Sequence, residues 1–218
     1  MKFFIDTANL AQIKEAQSLG ILDGVTTNPS LMAKEGITGK NNILKHYVDI
    51  CNLVDGEVSA EVNATDYEGM IQEGEELAEL HERIVVKLPL TQDGIKACKY
   101  FSDREIKTNM TLVFSAGQAL LAAKAGATFV SPFIGRLDDV STDGLNLIQE
   151  IREIYDNYGY ETQILAASVR HTMHIINCAK IGADVMTGPL SAILGLLKHP
   201  LTDIGLAQFI ADFEKGNK

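Results

Sequence analysis

The chain has 218 residues, of which 46% are hydrophobic and 22% charged, a composition that fits one globular domain and excludes a disordered or fibrous chain. No apolar run approaches the length of a membrane span, and Asp6 interrupts the apolar start too early for a signal peptide, so we expect a cytoplasmic protein. The formal net charge of -10, without a Lys/Arg-rich block, argues against nucleic acid and anionic membranes as partners.

Eight short apolar segments rich in β-branched residues alternate with segments of helical period. Strict alternation predicts a parallel sheet, because each crossover must carry a helix. Eight such units fill the chain and favour an α/β fold, the (βα)8 or TIM barrel, as one domain over residues 1–218. An open doubly wound sheet is the alternative, but the sequence has neither a GxGxxG nor a Walker loop. The predicted strands cover residues 3–6, 24–28, 58–62, 84–88, 107–113, 128–132, 163–168 and 184–187.

A ninth helical pattern follows the eighth unit. Leu206, Phe209, Ile210 and Phe213 repeat at the spacing of one helix face, which predicts an amphipathic C-terminal helix over residues 202–215. The barrel already has its eight helices. The additional helix therefore either covers its own barrel or packs on a neighbouring subunit.

The cysteines and histidines do not form a convincing metal or disulfide pattern. Cys51, Cys98 and Cys178 are odd in number and far apart, so we expect three buried free thiols. His171 and His174 have the spacing of two helical metal ligands, but no third ligand is visible at a useful distance in sequence. We predict neither a metal nor a cofactor.

Polar residues occupy the carboxyl ends of the predicted strands, in the phase that points into the barrel. Barrel enzymes carry their reacting groups at this end, and a packed core would not select polar residues there. The pattern therefore predicts an active site. Its candidate residues from strands one to seven are Asp6, Thr26, Asn28, Ser59, Glu61, Lys87, Asn109, Thr111, Ser131, Phe133, Ser168 and Arg170.

Lys87 is the most informative of these residues because it interrupts a strand that is expected to be buried on both faces. Burial and neighbouring cations lower the pKa of a lysine, and a neutral amine is a nucleophile for a carbonyl carbon. The alternatives are that Lys87 extends its amine to solvent or forms a structural ion pair with Asp6 or Glu61.

Two arginines follow strands six and seven. Arg136 and Arg170 could converge at the mouth of the barrel, where two guanidinium groups would form a clamp for a phosphate. Each arginine alone is equally compatible with a solvated surface position or a salt bridge.

Six separate motifs, in chain order on the predicted strands, resemble the transaldolase family, and specifically its small branch that includes fructose-6-phosphate aldolases. The resemblance runs from residue 3 to the last helix. The motifs are Phe4-Ile5-Asp6-Thr7, Thr26-Thr27-Asn28-Pro29-Ser30, Val86-Lys87-Leu88-Pro89, Asn109-Met110-Thr111-Leu112, Ser131-Pro132-Phe133-Ile134-Gly135-Arg136 and Ala166-Ala167-Ser168-Val169-Arg170.

The resemblance implies a role for each group of site residues. Lys87 would form the Schiff base, Asp6 would be the acid and base at the hydroxyl being cleaved, and Glu61 with Thr111 would hold a water that relays protons. The dihydroxyacetone hydroxyls would be bound by Asn28, Asn109 and Ser131, with Thr26 in the same substrate-binding site. The phosphate would be bound by Arg136, Ser168 and Arg170. Members of this branch form decamers of two pentameric rings, which favours the terminal helix packing on a neighbour.

Two positions bear on which activity the resemblance implies. Aldolase members of the branch carry tyrosine where this chain has Phe133 and glutamine where it has Glu61, whereas transaldolases carry phenylalanine and glutamate. We therefore expect a transaldolase acting on sugar phosphates in the pentose phosphate pathway, with a fructose-6-phosphate aldolase as the alternative. A metal-dependent aldolase and a catalytically silent sugar-phosphate-binding barrel are further hypotheses, but neither needs Lys87, Asp6 and Glu61 together.

Overall fold

Eight parallel strands close into a barrel in which each strand pairs with the next and β8 pairs with β1. The structure is a computed structural model and describes residues 1–216. It confirms the predicted (βα)8 barrel. The strands are β1 (Lys2–Asp6), β2 (Gly24–Thr26), β3 (Glu57–Glu61), β4 (Ile84–Pro89), β5 (Thr108–Val113), β6 (Phe129–Pro132), β7 (Gln163–Ala166) and β8 (Val185–Gly188).

Helices surround the barrel and supply every crossover. A short helix directly follows each of β2, β6 and β8, at the carboxyl end of the barrel. Each of these short helices precedes a longer helix. The helices are α1 (Leu10–Ser18), α2 (Pro29–Lys34), α3 (Lys40–Cys51), α4 (Tyr67–Leu80), α5 (Gln92–Ser102), α6 (Ala116–Lys124), α7 (Ile134–Asp138), α8 (Gly144–Tyr158), α9 (Thr172–Ile181), α10 (Leu190–Gly195) and α11 (Pro200–Gly216).

Two strands end two residues earlier than the alternation of the sequence predicts. β2 stops at Thr26 because Asn28 is the N-cap of α2 and accepts a hydrogen bond from the Leu31 N–H at 3.0 Å. β7 stops at Ala166, and Ser168 has a φ of 59°, in the left-handed region. Asn28 and Ser168 therefore lie in loops, where side-chain direction does not follow the strand period.

An apolar layer fills the lumen below the carboxyl end of the barrel. Phe4 and Phe129 contact each other edge to face, with ring centroids 6.0 Å apart. They pack with Val85, Leu165 and Val185, and all five are inaccessible to solvent. Asp6 and Lys87 come two residues after Phe4 and Val85 on the same strand faces, so this layer forms the floor beneath the polar site.

The outer core lies between the barrel and its helices. It contains the outward-facing strand residues and the apolar faces of the helices. The three cysteines are free and buried, as predicted from their spacing.

Helix α11 confirms the predicted C-terminal helix, which the structure extends to residues 200–216. None of its described residues is buried, so it does not cover its own barrel. Its apolar side chains are exposed, Phe209 by 74% and Phe213 by 73%. Within residues 1–216, no helix combines the length and the hydrophobicity that crossing a membrane requires.

Helix α5 approaches the end of β4 so closely that its first turn requires glycine. A Cβ atom on Gly94 would lie 1.9 Å from the carbonyl oxygen of Pro89. Gly117, in the first turn of α6, has no such neighbour, because its nearest heavy atom is Ser115 Oγ at 4.0 Å. The contact at Gly94 fixes the strand that carries Lys87.

We therefore expect Gly94→Ala to lower the free energy of unfolding by about 1–3 kcal/mol, because the backbone must shift to admit the methyl group. Gly117→Ala is the matched control and should be neutral or stabilising by up to about 1 kcal/mol, since alanine favours helix. Urea denaturation with unchanged m-values measures both changes. Equal midpoints for the two variants would contradict this account of Gly94.

Candidate active site

A cavity of about 110 Å³ opens at the carboxyl ends of the strands. Most of the predicted site residues border it, contributed by seven of the eight strands or the loops that follow them. The lining comprises Asp6, Thr26, Asn28, Lys87, Thr111, Ser131, Phe133, Arg136, Ala167, Ser168 and Thr187.

Lys87 lies at the base of this cavity and is 5% exposed. Its Nζ is 2.8 Å from Glu61 Oε2 and donates a hydrogen bond to the Thr27 carbonyl oxygen at 2.9 Å. The β3–β4 register places Glu61 directly opposite Lys87. The structural alternative raised by the sequence, an ion pair with Glu61, is thus present, and it leaves one N–H of the ammonium group for a partner in the cavity.

The Asp6 carboxyl group is held in a different environment from that of Glu61. Burial raises the pKa of Asp6, and the charge of Lys87 and the Thr26 hydroxyl offset part of that rise. Thr26 Oγ1 donates to Asp6 Oδ1 at 2.7 Å and also lies 2.6 Å from Thr187 Oγ1. A carboxyl group with a raised pKa beside an amine is suited to give and take protons.

A chain of buried hydrogen bonds orders the opposite side of the cavity. Ser131 Oγ donates to Asn109 Oδ1 at 2.7 Å, and Asn109 Nδ2 donates to Ser59 Oγ at 3.1 Å. Asn109 itself is inaccessible to solvent, whereas Ser131 borders the cavity. The side chain of Asn109 therefore positions Ser131.

Thr111 is buried, yet its hydroxyl has no hydrogen-bond partner among residues 1–216. An unsatisfied buried hydroxyl costs about 1–3 kcal/mol, so its place at the cavity wall favours a partner supplied by ligand or water. The register of β5 against β6 shifts between Met110 and Val113, and Leu112 has a φ of 59°. Such irregularities occur next to active sites because they redirect side chains.

The two predicted clamp arginines have different partners in the structure. Arg136 borders the cavity, with its Cζ 4.7 Å from the Phe133 ring centroid. Arg170 instead binds Asp139 at 2.6 Å, and both side chains are about half exposed. The positive φ of Ser168 breaks the alternation that the sequence reading extended to Arg170. A role for Arg170 in substrate binding stays a prediction.

The two histidines singled out in the sequence have structural partners. His171 is the N-cap of α9, and His174 Nε2 lies 2.9 Å from Asp138 Oδ2. In the part of the chain that the structure describes, there is no group of three or more His, Cys, Asp and Glu side chains that could hold a metal.

Sequence reasoning missed three contributors to the site. Thr187 borders the cavity from β8, in phase with Val185, and the same parity argument would have found it. The Thr27 carbonyl is a backbone group and leaves no signal in the sequence. Tyr47, whose hydroxyl accepts a hydrogen bond from the Glu61 N–H at 3.2 Å, fits the buried face of α3 and gives no functional signal.

Comparisons with known proteins point to one family. The family model described as "Transaldolase/Fructose-6-phosphate aldolase" matches residues 3–217. Proteins named "Probable transaldolase" from Flavobacterium psychrophilum and Cytophaga hutchinsonii are 87% and 71% identical, each over 100% of both chains.

A solved structure resembles the fold without close sequence similarity. Thiamine phosphate pyrophosphorylase from Pyrococcus furiosus matches with a TM-score of 0.61 at 17% identity, over 89% of this chain and 87% of that one. This likeness bears on the barrel alone. The family match and the near-identical relatives decide the assignment: this chain belongs to the transaldolase/fructose-6-phosphate aldolase family.

Proposed function

We propose that the chain is a Schiff-base transaldolase of the pentose phosphate pathway. It transfers a dihydroxyacetone unit from sedoheptulose 7-phosphate to glyceraldehyde 3-phosphate, giving erythrose 4-phosphate and fructose 6-phosphate. The observation that carries the proposal is the buried Lys87 residue, whose amine pairs with Glu61 at 2.8 Å and which borders the same cavity as Asp6. The names of the close relatives support the same assignment.

The first half of the reaction breaks a carbon-carbon bond. The Lys87 ammonium gives a proton to Glu61, and the neutral amine attacks the ketose carbonyl carbon to form a carbinolamine. Protonation of its hydroxyl and loss of water leave an iminium ion. Asp6 then takes the proton of the hydroxyl on the carbon beyond the bond to be cleaved, the aldehyde leaves, and the bonding electrons form an enamine on Lys87.

The second half reverses these steps with another aldehyde. The enamine carbon attacks the acceptor carbonyl, Asp6 returns its proton to the new alkoxide, and water hydrolyses the iminium ion. Glu61 and Thr111 hold the water that relays protons, and the unpaired Thr111 hydroxyl supports this role.

Substrate binding falls to the remaining candidate residues. Asn28, Asn109 and Ser131 bind the hydroxyls of the dihydroxyacetone unit, near Thr26, and for the buried Asn109 this requires exchange of a hydrogen bond to Ser59 or Ser131 for one to the substrate. Arg136, Ser168 and Arg170 bind the phosphate, and the position of Arg136 at the cavity wall supports this assignment. For Arg170 the proposal requires exchange of the exposed Asp139 partner for the phosphate.

Borohydride reduction in the presence of fructose 6-phosphate should attach the reduced three-carbon or sugar unit to Lys87, located by peptide mass spectrometry. Lys87→Met should abolish the label and lower kcat by at least about 10³-fold, because the nucleophile is gone. Lys45→Met is the control, since Lys45 is exposed and pairs with Asp49 on α3. Undiminished turnover in Lys87→Met, or no label on Lys87 in the wild-type chain, would contradict the mechanism.

Phe133 supports transfer over release of free dihydroxyacetone. Its ring lies beneath Arg136 and contacts Phe114 edge to face, with centroids 5.6 Å apart, so the cavity wall there is apolar. A phenyl ring cannot orient the water that protonates and hydrolyses the enamine, whereas a phenol can.

We therefore expect the wild-type chain to turn over only when an aldehyde acceptor is present. Phe133→Tyr should raise the rate of free dihydroxyacetone release from fructose 6-phosphate by about tenfold or more, because a positioned water contributes on this scale or above. Phe114→Tyr adds the same hydroxyl outside the cavity and should leave release unchanged. Rapid acceptor-free release by the wild-type chain would instead identify a fructose-6-phosphate aldolase.

We also propose that α11 packs on a second copy of this chain, within the decamer of two pentameric rings that the family resemblance implies. The exposed apolar side chains of this helix support the proposal, because it is unfavourable to leave so many apolar side chains in contact with solvent. Charge at the helix should therefore weaken the assembly.

The double variant Phe209→Asp/Phe213→Asp should lower the molar mass measured by light scattering, because it places two carboxylates in the proposed contact. Tyr158→Asp is the matched control, since Tyr158 is also 74% exposed but lies at the end of α8. A monomeric wild-type chain, or an unchanged mass in the double variant, would sink the proposal for α11.

A further inference from the structure

We propose that Tyr47, on α3 outside the barrel, is a positioning residue for Lys87. Its phenol accepts a hydrogen bond from the backbone of Glu61, whose carboxylate holds the Lys87 amine. The inference rests on the proposed function, because it concerns the amine that forms the Schiff base. It adds a residue that neither borders the catalytic cavity nor touches the substrate.

The first connection runs through Glu61. Tyr47 is 2% exposed, and its hydroxyl accepts a hydrogen bond from the Glu61 N–H at 3.2 Å. Glu61 is the last residue of β3 and lies beyond Ser59, where the pairing of β3 with β2 ends. The phenol thus anchors the backbone of the residue whose carboxylate lies 2.8 Å from Lys87 Nζ.

The second connection runs through Thr27. The Thr27 carbonyl oxygen accepts the other hydrogen bond from Lys87 Nζ, at 2.9 Å. The Thr27 side chain interacts with the Tyr47 phenol and lowers its pKa. The Thr27 hydroxyl has no hydrogen-bond partner among residues 1–216.

The phenol acts through geometry and not as a proton carrier. Burial raises the pKa of Tyr47, and the charge of Glu61 raises it further, so the hydroxyl stays neutral throughout the physiological range. A neutral phenol oxygen can accept the hydrogen bond from the Glu61 N–H, and this bond connects α3 with the end of β3.

Glu61 needs such an anchor because it has free space on its far side. A second pocket of about 250 Å³ lies between α3 and α4 and is lined by Tyr47 and Glu61 together with Lys40, Asn63 and Glu76. A carboxylate released from its backbone position could turn towards this pocket and away from Lys87. Displacements of about 1 Å in a catalytic group can cost up to about 100-fold in rate.

Tyr47→Phe removes the hydroxyl and keeps the ring. We expect kcat to fall by about tenfold or more, KM to stay within about twofold, and the rate of borohydride trapping at Lys87 to fall by the same factor as kcat. Thr27→Val, which keeps the carbonyl and deletes the hydroxyl, should change these rates in the same direction by a smaller factor.

Tyr155→Phe is the matched control. Tyr155 is equally buried, and its hydroxyl donates to the Ala119 carbonyl oxygen at 2.8 Å, between α8 and α6. The Tyr155→Phe variant should be less stable but keep the wild-type kcat. It therefore measures the purely structural effect of removing a buried phenol hydroxyl. Equal kcat and trapping rates in the Tyr47→Phe and Tyr155→Phe variants would overturn the role of Tyr47.

The outcomes separate this inference from the proposed function. A wild-type chain that gives no adduct at Lys87 overturns the Schiff-base function and, with it, the role of Tyr47. A wild-type chain that gives the adduct, together with Tyr47→Phe and Thr27→Val variants that trap at the wild-type rate, overturns the role of Tyr47 alone. If Tyr47→Phe does not fold, Thr27→Val decides, because it removes the hydroxyl that acts on the Tyr47 phenol and keeps the carbonyl that holds Lys87.

Discussion

The ion pair between Lys87 and Glu61 is the interaction on which the site depends. An ammonium group buried at the base of a cavity is tolerated only when its charge is matched and its donors are satisfied, and the Glu61 carboxylate and Thr27 carbonyl meet both needs. The register of β3 against β4 sets the pair. In the proposed mechanism, the same carboxylate that stabilises the ammonium group accepts the proton that leaves before the amine reacts.

In the barrel lumen, an apolar layer that stabilises the fold lies below a polar layer that carries the candidate site. Phe4, Val85 and Phe129 fill the lumen, and the next inward-facing residues on β1 and β4 are the ionisable Asp6 and Lys87. This change over two residues explains the raised pKa of Asp6, whose carboxyl group lies directly above an apolar layer. The short α7 adds Arg136 at the rim, which supplies local positive charge in a chain whose formal net charge is -10.

Strand phase predicted the barrel and placed Asp6 and Lys87 correctly, because a two-residue period directly encodes which face a side chain occupies. It does not fix the direction of Arg170, since the left-handed backbone of Ser168 interrupts the period before that residue. Tyr47 was not predicted because an aromatic residue on the buried face of a helix looks like any other core position. Its hydrogen bond to Glu61 depends on tertiary contact between α3 and β3.

The sealed floor of the lumen has a kinetic consequence for an enzyme of the proposed type. Since Phe4 and Phe129 block passage through the barrel axis, a sugar that enters at the mouth must also leave there. Donor and acceptor then use the same entrance, and the product aldehyde has to leave before the acceptor aldehyde can bind. The architecture thereby makes the two sugars bind one after the other, and the three-carbon unit of the first sugar stays bonded to the protein in the interval.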